Sequence, residues 1–501
     1  MTEAASPDGF EARLHDYVYE RAEEARAVRV GEKETSEQAE IVARYADLFS
    51  REQLDVLRAA EEGASEEAAE RAFRLREACQ GGILSAAFAE RSDALENAML
   101  ACRLDWQGEE LPLRSAQAQL AVLDGYAERT ELGERVVVAS ASFNGERLEL
   151  MRDAETLEAE LTDELDPVKR SADLKGIDLH ELSARLAQAS AAIDGPYAEL
   201  RERWLDRVLG AERESNPTSA HVSYVRRLSP LASTYTKERS VPVCMATLTE
   251  LGFDLAGNDR IRLDLEDRPQ KFPRACVIAS DPPRVVHLIT RAQGGLADYQ
   301  AFLHEAGHAL HYAGCDPSLP YTFRGLSRDH ALTEIYSFLV ESITHEPGWH
   351  AEHFGLEAAQ AADRADATRF LDAFLFRRYA AKLRYELRFW GDFANAERYD
   401  ELYEREVSTA SGFRYPRAGF LSDMDEGFYS ADYLRAWIRA AQVRARLRRE
   451  VGVDWWRRPE TGAFLEGLFV RGTRPSSEDV AELVGFDPLD TGPLVEELAG
   501  N

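Results

Sequence analysis

Apolar residues recur at three- and four-residue spacing over most of the span Gly9–Leu209, and this periodicity constrains the fold more than any other feature. The stretch SEEAAERAFRLREACQGGILSAAFAERSDALENAMLACRL is representative, because Ala, Leu, Glu and Arg are favourable residues in a helix. One segment, RVVVASASFNGERLELMR, departs from the pattern, and its Asn144-Gly145 pair is typical of a two-residue turn between strands. We therefore predict a helical lobe over residues 1–215 with a β-hairpin near residues 136–151.

The composition changes at ERESNPTSAHVSYV, residues 212–225, which we interpret as a domain boundary. A chain of 501 residues exceeds what one hydrophobic core normally supports, so two regions are expected. The second region, residues 216–501, begins with three strand-like runs bounded by prolines and then returns to a helical pattern. These runs lie near residues 260–265, 274–279 and 284–289. The sequence predicts a mainly α protein with one small β-sheet.

The charge balance excludes some classes of partner. The chain has 90 acidic and 60 basic residues, a net charge of −30, which argues against nucleic acid or an anionic membrane surface. We find no apolar run of about 18 residues and no secretory signal in MTEAASPDGFEARL. The five cysteines are scattered without CxxC spacing, so we expect a cytoplasmic protein. We also expect it to be a monomer or a homodimer.

Three histidines lie close together in YQAFLHEAGHALHYAGC, residues 299–315. His304 and His308 are four residues apart and share one face of a helix, whereas Glu305 is rotated by about 100° to a position beside them. This HExxH spacing supplies two metal ligands and a glutamate that can take a proton from water at the metal. His311 continues the polar stripe, and the alternative interpretation is a stripe that is only structural.

Gly307 lies inside the same predicted helix, where a glycine costs about 1 kcal/mol relative to alanine. That cost is reasonable if another element approaches the helix closely at this point. Gly314 is expected to end the helix.

A catalytic zinc site needs a third protein ligand. The segment SRDHALTEIYSFLVESI predicts a second helix with Ser327 as its N-cap, and its residues Glu334, Ser337 and Glu341 share one face. If the helix is merely amphipathic, this face is exposed to solvent. With the HExxH helix upstream, Glu334 is the preferred third ligand and Glu341 the alternative.

FLHEAGHALHY followed by LTEIYSFLVES resembles the zinc metallopeptidases that include oligoendopeptidase F, thimet oligopeptidase and neurolysin. The resemblance implies an elongated, two-lobed helical fold with a deep channel and a small sheet beside the HExxH helix. It also implies one Zn²⁺ per chain, held by His304, His308 and Glu334. We place Glu341, Ser337 and His311 in the shell of residues behind these ligands.

Two further segments belong to this resemblance, and both depart from the family pattern. RPQKFPRACVI matches a strand that pairs with the substrate backbone, but the usual Gly-Ala-aromatic triplet reads Arg274-Ala275-Cys276. GFYSADYLRAW matches a tyrosine-rich segment facing the metal, and Tyr429 and Tyr433 align with two family tyrosines. Met424 replaces a histidine and Ala436 replaces a third tyrosine.

We therefore expect a zinc metalloendopeptidase that hydrolyses peptide bonds in short, unfolded oligopeptides, with Glu305 as the base and Tyr429 and Tyr433 as donors to the developing oxyanion. One alternative is an exopeptidase on the same fold. Another is a zinc-containing peptide-binding protein with little or no turnover, which the changes at Met424 and Ala436 would favour and the intact Glu305 argues against.

Overall fold

The computed structural model describes residues 6–211, 213–268, 270–272 and 274–500. The first residues of the segment used above to exclude a secretory signal lie outside these ranges. Helices dominate the described chain, which confirms the predicted fold class. None of the described helices is both long enough and apolar enough to cross a lipid bilayer.

The described helices, in chain order, are α1 (Pro7–Arg29), α2 (Gln38–Arg44), α3 (Arg51–Glu61), α4 (Glu66–Ala101), α5 (Leu113–Gln119), α6 (Tyr126–Ala141), α7 (Asn144–Thr162), α8 (Pro167–Lys175), α9 (Leu179–Ala192), α10 (Asp194–Leu209), α11 (Val222–Arg226), α12 (Lys237–Glu250), α13 (Leu296–Gly314), α14 (Thr322–Gly325), α15 (Ala331–Glu341), α16 (Pro347–Phe354), α17 (Ala358–Gly391), α18 (Asp400–Ser411), α19 (Tyr429–Glu450), α20 (Pro459–Phe469), α21 (Ser477–Val484) and α22 (Gly492–Ala499). The strands are β1 (Arg103–Trp106), β2 (Glu109–Pro112), β3 (Ile261–Asp264), β4 (Cys276–Asp281) and β5 (Val285–Ile289).

Contacts along the chain divide it into two compact units, each built from three segments. Unit 1 comprises Met1–Ile83, Thr234–Ala361 and Ala436–Pro488, and it contains the sheet β3–β5 together with α13 and α15. Unit 2 comprises Leu84–Ser233, Ala362–Arg435 and Leu489–Asn501, and it contains the β1–β2 hairpin and the helices α5 to α11.

The three predicted strands near residues 260–265, 274–279 and 284–289 are present as β3, β4 and β5. Their order in the sheet is β3-β5-β4, with β3 parallel and β4 antiparallel to the central β5. β4 is therefore an edge strand, and Ile278 lies opposite His287 in the antiparallel register. Runs of β-branched and apolar residues bounded by prolines were a sufficient local signal for these strands.

The β-hairpin predicted near residues 136–151 is wrong, because this stretch belongs to α6 and α7, with Asn144 as the first residue of α7. Leu132 and Val136, one helical turn apart, are buried in a small core that includes Trp106. Burial of this helical face outweighs the strand preference of the three consecutive valines.

A hairpin does form between β1 and β2 in unit 2. Its two turn residues, Gln107 and Gly108, have φ values of 55° and 84°. Positive φ at both positions is the geometry of a primed hairpin turn, which usually uses Asn-Gly or Asp-Gly. Glutamine is an uncommon residue there, so the sequence pattern missed this turn.

α13 and α15 pack against each other at Gly307. A Cβ atom added to Gly307 would lie 2.5 Å from the carbonyl oxygen of Tyr336 and 2.6 Å from the Cα of Ser337. This contact confirms the expectation that another element approaches the helix closely at this glycine. α13 also ends at Gly314, as predicted.

The second helix begins later than predicted. α15 starts at Ala331, whose amide donates to the Asp329 carboxylate at 2.9 Å, while the Ser327 hydroxyl donates to the Asp329 carbonyl at 2.6 Å. The N-cap residue of α15 is therefore His330 and not Ser327, which corrects the prediction. The positions of Glu334, Ser337 and Glu341 on the helix are unaffected.

Gly307→Ala should destabilise the protein by about 1–3 kcal/mol or more, because the new methyl group meets main-chain atoms that cannot rotate away. Gly467→Ala is the matched control, since Gly467 also lies in a helix of unit 1 but has nothing within 4 Å of the added Cβ. That control should be neutral or gain up to about 1 kcal/mol. Urea unfolding followed by circular dichroism measures both effects, and equal stability of the two variants would contradict the close contact.

Candidate metal centre

Three side chains from α13 and α15 converge in unit 1. The Nε2 atom of His304 lies 3.3 Å from Oε2 of Glu334, and Nε2 of His308 lies 3.8 Å from the same oxygen. The ligand atoms of His304, His308 and Glu334 all lie within 4.8 Å of one another, close enough for one metal ion. The structure thus brings together the three residues that the sequence predicted as ligands.

The electrostatics of the three residues fit a cation. Burial acts to lower the pKa of His304, but the carboxylates of Glu334 and Glu341 raise it to about 10. Burial lowers the pKa of His308 to about 3. The pKa of Glu334, which burial acts to raise, is held at about 2 by the two imidazoles. Because the paired carboxylates draw positive charge onto His304, and the donors are imidazole nitrogens and a carboxylate oxygen, the site suits a divalent metal such as zinc.

Two neighbours on α15 orient these side chains. Oε2 of Glu341 lies 2.8 Å from Nδ1 of His304, so the opposite ring nitrogen faces Glu334. The Ser337 hydroxyl donates to the carbonyl of Glu334 at 2.9 Å and contacts its Oε2 at 3.1 Å. Partners of this kind fix the ring orientation and basicity of metal ligands. The roles of Glu341 and Ser337 in metal binding remain predictions.

His311 lies in the core of unit 1. It is fully buried and contacts the rings of Tyr336 and Phe469, with centroid separations of 4.6 and 5.9 Å. Its Nε2 lies 3.0 Å from the carbonyl oxygen of Gly472, and burial lowers its pKa to about 4. His311 is therefore a neutral core residue that packs α13 against α20, and the role predicted for it behind the metal ligands remains a prediction.

Glu305 lies beside the three ligands, next to strand β4. Burial raises the pKa of its carboxyl group, the charge of His304 opposes this rise, and the charge of Glu334 adds to it. The main-chain amide of Val277 in β4 hydrogen-bonds to Glu305 and stabilises its ionised form. A carboxylate with a raised pKa is a better proton acceptor, which suits a general base. Sequence reasoning missed Val277, because a main-chain donor leaves no signature in a side-chain pattern.

Tyr429 and Tyr433 lie in the first turns of α19, in unit 2. Their rings contact each other with centroids 4.6 Å apart, and Tyr379 contacts Tyr433 at 5.6 Å. Both tyrosines are half-buried, whereas Asp432 between them is buried and accepts a 2.6 Å hydrogen bond from Lys175. The start of α19 is therefore anchored within unit 2, and the proposed role of the two hydroxyls remains a prediction.

No protein-family model matches the chain, and no curated protein matches it in sequence. Solved structures do match it over its whole length. A carboxypeptidase from Deinococcus radiodurans R1 has a TM-score of 0.65 at 17% identity, covering 98% of both chains. Pyrococcus furiosus carboxypeptidase has a TM-score of 0.66 at 15% identity, covering 99% of this chain and 98% of that one. Trypanosoma cruzi metallocarboxypeptidase 1 has a TM-score of 0.63 at 14% identity, covering 100% of this chain and 96% of that one.

These similarities establish the fold, which is that of metallocarboxypeptidases. They support the resemblance drawn from the two helices in part, because the structures named here are metallopeptidases but are carboxypeptidases rather than oligoendopeptidase F, thimet oligopeptidase or neurolysin. The likeness to those oligopeptidases is therefore supported only as far as a metallopeptidase fold.

The purified protein should bind about one zinc ion per chain. Glu334→Ala removes a predicted ligand and should abolish tight binding, whereas Glu341→Ala should weaken it only about 10- to 100-fold, as expected for a residue that orients a ligand. Competition with a chromogenic zinc chelator measures both affinities. A larger loss in Glu341→Ala than in Glu334→Ala would show that Glu341 is the third ligand.

Proposed function

We propose that this chain is a zinc-dependent metallopeptidase that removes residues from the carboxyl ends of short peptides. The observation that carries the proposal is the convergence of His304, His308 and Glu334 with Glu305 directly beside them. The preference for carboxyl ends is supported by the metallocarboxypeptidase fold, since the similar solved structures are carboxypeptidases.

His304, His308 and Glu334 would hold the metal, and Glu341 would orient His304. When bound, zinc supplies a positive charge that polarises the scissile carbonyl and lowers the pKa of water. Glu305 accepts the proton of the attacking water and then passes it to the nitrogen of the leaving amine. The hydroxyl group joins the carbonyl carbon and the C–N bond breaks, so the products are a shortened peptide and an amino acid.

Strand β4 provides a place for the substrate backbone. It lies at the edge of its sheet, and the amide of Val277 in this strand contacts Glu305. An extended peptide that pairs with this edge would have its scissile carbonyl beside the general base. Tyr429 and Tyr433 are the proposed donors to the oxyanion.

A second candidate is cleavage of internal bonds in oligopeptides. It is favoured by the spacing of Glu334, Ser337 and Glu341 on α15, which matches the oligopeptidase pattern. A mixed library of short unmodified peptides, analysed over time by mass spectrometry, distinguishes the candidates. Stepwise loss of C-terminal residues supports the proposal, internal fragments support the second candidate, and N-terminal trimming contradicts both. Intact peptides at saturating zinc would indicate a binding protein.

Glu305→Gln should lower kcat by about 10²–10⁴-fold, because glutamine has nearly the same shape but cannot accept the proton. Zinc content and the circular dichroism spectrum should match the wild type, since Glu305 is not a predicted ligand. Turnover of one peptide at saturating zinc provides the measurement. Near wild-type kcat with normal zinc content would exclude Glu305 as the base.

Tyr433→Phe, and to a lesser degree Tyr429→Phe, should lower kcat while leaving KM nearly unchanged, the pattern of a contact made mainly in the transition state. Loss of one oxyanion donor typically costs about 3–4 kcal/mol of barrier stabilisation. Met424→His, which introduces the histidine of the oligopeptidase pattern, should raise kcat.

Tyr379→Phe is the matched control, because Tyr379 contacts the ring of Tyr433 but is not a proposed donor. Steady-state kinetics on one peptide compares these variants. Wild-type rates in both phenylalanine variants of the α19 tyrosines would mean that the oxyanion donor lies elsewhere.

A further inference from the structure

A pocket with a volume of about 420 Å³ lies in unit 1, beside β3. Its walls come from the end of α1, from β3 and the residues that follow it, and from His287 and Ile289 of β5. β3 and β4 are opposite edges of the sheet, and Glu305 contacts Val277 in β4. The pocket is therefore separate from the candidate metal centre. Small-molecule sites occupy about 300–1,000 Å³, so this one suits a small ligand.

The register of the sheet places Arg262 in this pocket. Arg262 of β3 is paired with His287 of β5, so the two side chains lie on the same face of the sheet. Nε2 of His287 lies 2.7 Å from Oε1 of Glu23 in α1, so this is the face that α1 covers. Arg262 therefore lies beside the end of α1, where it lines the pocket.

The other arginines of the pocket already have carboxylate partners. The guanidinium of Arg26 donates two hydrogen bonds to the Glu32 carboxylate, at 2.9 and 3.0 Å. The guanidinium of Arg268 donates to Glu266 at 3.0 Å and also to Asp264. These pairs fix the walls of the pocket and leave neither arginine available as the main partner of a ligand.

Arg262 differs from these two arginines. Its side chain is exposed, and none of the residues that the structure describes forms a hydrogen bond or ion pair with it. The pocket thus contains one guanidinium that can bind a carboxylate through two parallel hydrogen bonds.

The formal charges of the groups that line the pocket and of their direct partners balance. The carboxylates are Glu23, Glu32, Asp264 and Glu266, and the cations are Arg26, Arg262, Arg268 and Lys271. His287 adds no charge at neutral pH, because burial lowers its pKa. A ligand with a net charge would disturb this balance, whereas a zwitterion preserves it.

The free edge of β3 adds a main-chain donor and acceptor. The amides of Val286 and Thr290 donate to the carbonyls of Arg260 and Asp264, both at 3.0 Å. Main-chain groups of successive strand residues point to opposite sides, so the amide and carbonyl of Leu263 point away from β5. Within the described part of the chain, no group bonds to them there. Leu263 lines the pocket, so both groups are available to a ligand.

We propose that this pocket binds a free α-amino acid with an apolar side chain. Arg262 and the Leu263 amide bind its carboxylate, and the Leu263 carbonyl and the Glu266 carboxylate, whose side chain is 80% exposed, accept hydrogen bonds from its ammonium group. Val30 and Ile289, apolar residues of the pocket wall, contact its side chain. No residue of the metal centre takes part, so the inference goes beyond the proposed function and does not depend on it.

The test is calorimetry on the zinc-loaded protein with three probes. L-leucine carries both charges, N-acetyl-leucine lacks the ammonium group, and leucinamide lacks the carboxylate. Leucine should bind more tightly than either analogue. Arg262→Ala should weaken the binding of leucine about 10- to 100-fold and leave that of leucinamide nearly unchanged, because the charge-assisted pair with the carboxylate is lost.

Arg284→Ala is the matched control, because Arg284 is also an exposed arginine next to the sheet, but its guanidinium bonds Asp281 at 2.7 Å. This variant should bind leucine as the wild type does, and circular dichroism verifies that both variants are folded. Unchanged leucine affinity in folded Arg262→Ala would overturn the proposal. N-acetyl-leucine binding as tightly as leucine would also overturn it, since the pocket would then select an anion and not a zwitterion.

A second variant separates this pocket from the metal centre. Glu334→Ala removes a predicted metal ligand and should keep Arg262-dependent binding of leucine. Loss of that binding in folded Glu334→Ala would place the leucine at the metal centre and refute the proposal. If the wild-type protein cleaves no peptide, the proposed function fails, yet Arg262-dependent binding of leucine still supports the inference.

Discussion

The contact of α13 with α15 at Gly307 is the constraint on which the candidate metal centre depends. With no side chain at this position, the main chain of α15 at Tyr336 and Ser337 approaches the HExxH helix to a distance that a Cβ atom would forbid. Glu334 lies three residues before Ser337 on the same helix, so this approach carries its carboxylate to His304 and His308. Close packing of two helices thereby positions a carboxylate between two imidazoles.

The close packing of the two helices concentrates negative charge, and this charge shifts the pKa values of the neighbouring side chains. Glu341 and Glu334 both contact the imidazole of His304, from its two ring nitrogens, and together they raise its pKa. Burial raises the pKa of Glu305, and the charge of His304 and a main-chain hydrogen bond from Val277 limit this rise. The result is a group of side chains whose charge favours a cation.

The small sheet positions β4 next to Glu305 as an edge strand. Lys271 and Arg29 fix the chain before β4, and the strand then pairs on one side with β5. In unit 2, buried polar contacts fix the start of α19. Lys175 donates a hydrogen bond to Asp432, and the hydroxyl of Ser430 donates one to Glu386. In both places charged groups that could not remain buried alone are paired, and the pairing fixes the position of the main chain.

The sequence by itself determined the features that depend on neighbours within one turn or one strand. The 3.6-residue period placed His304, Glu305 and His308 on α13, and short runs bounded by prolines marked β3, β4 and β5. Tertiary structure decided the rest. It turned residues 136–151 into helix by burying one face, and it placed His311 in the core. A polar helical face has the same pattern whether it meets solvent, a metal or another helix, and only contacts between distant segments distinguish these.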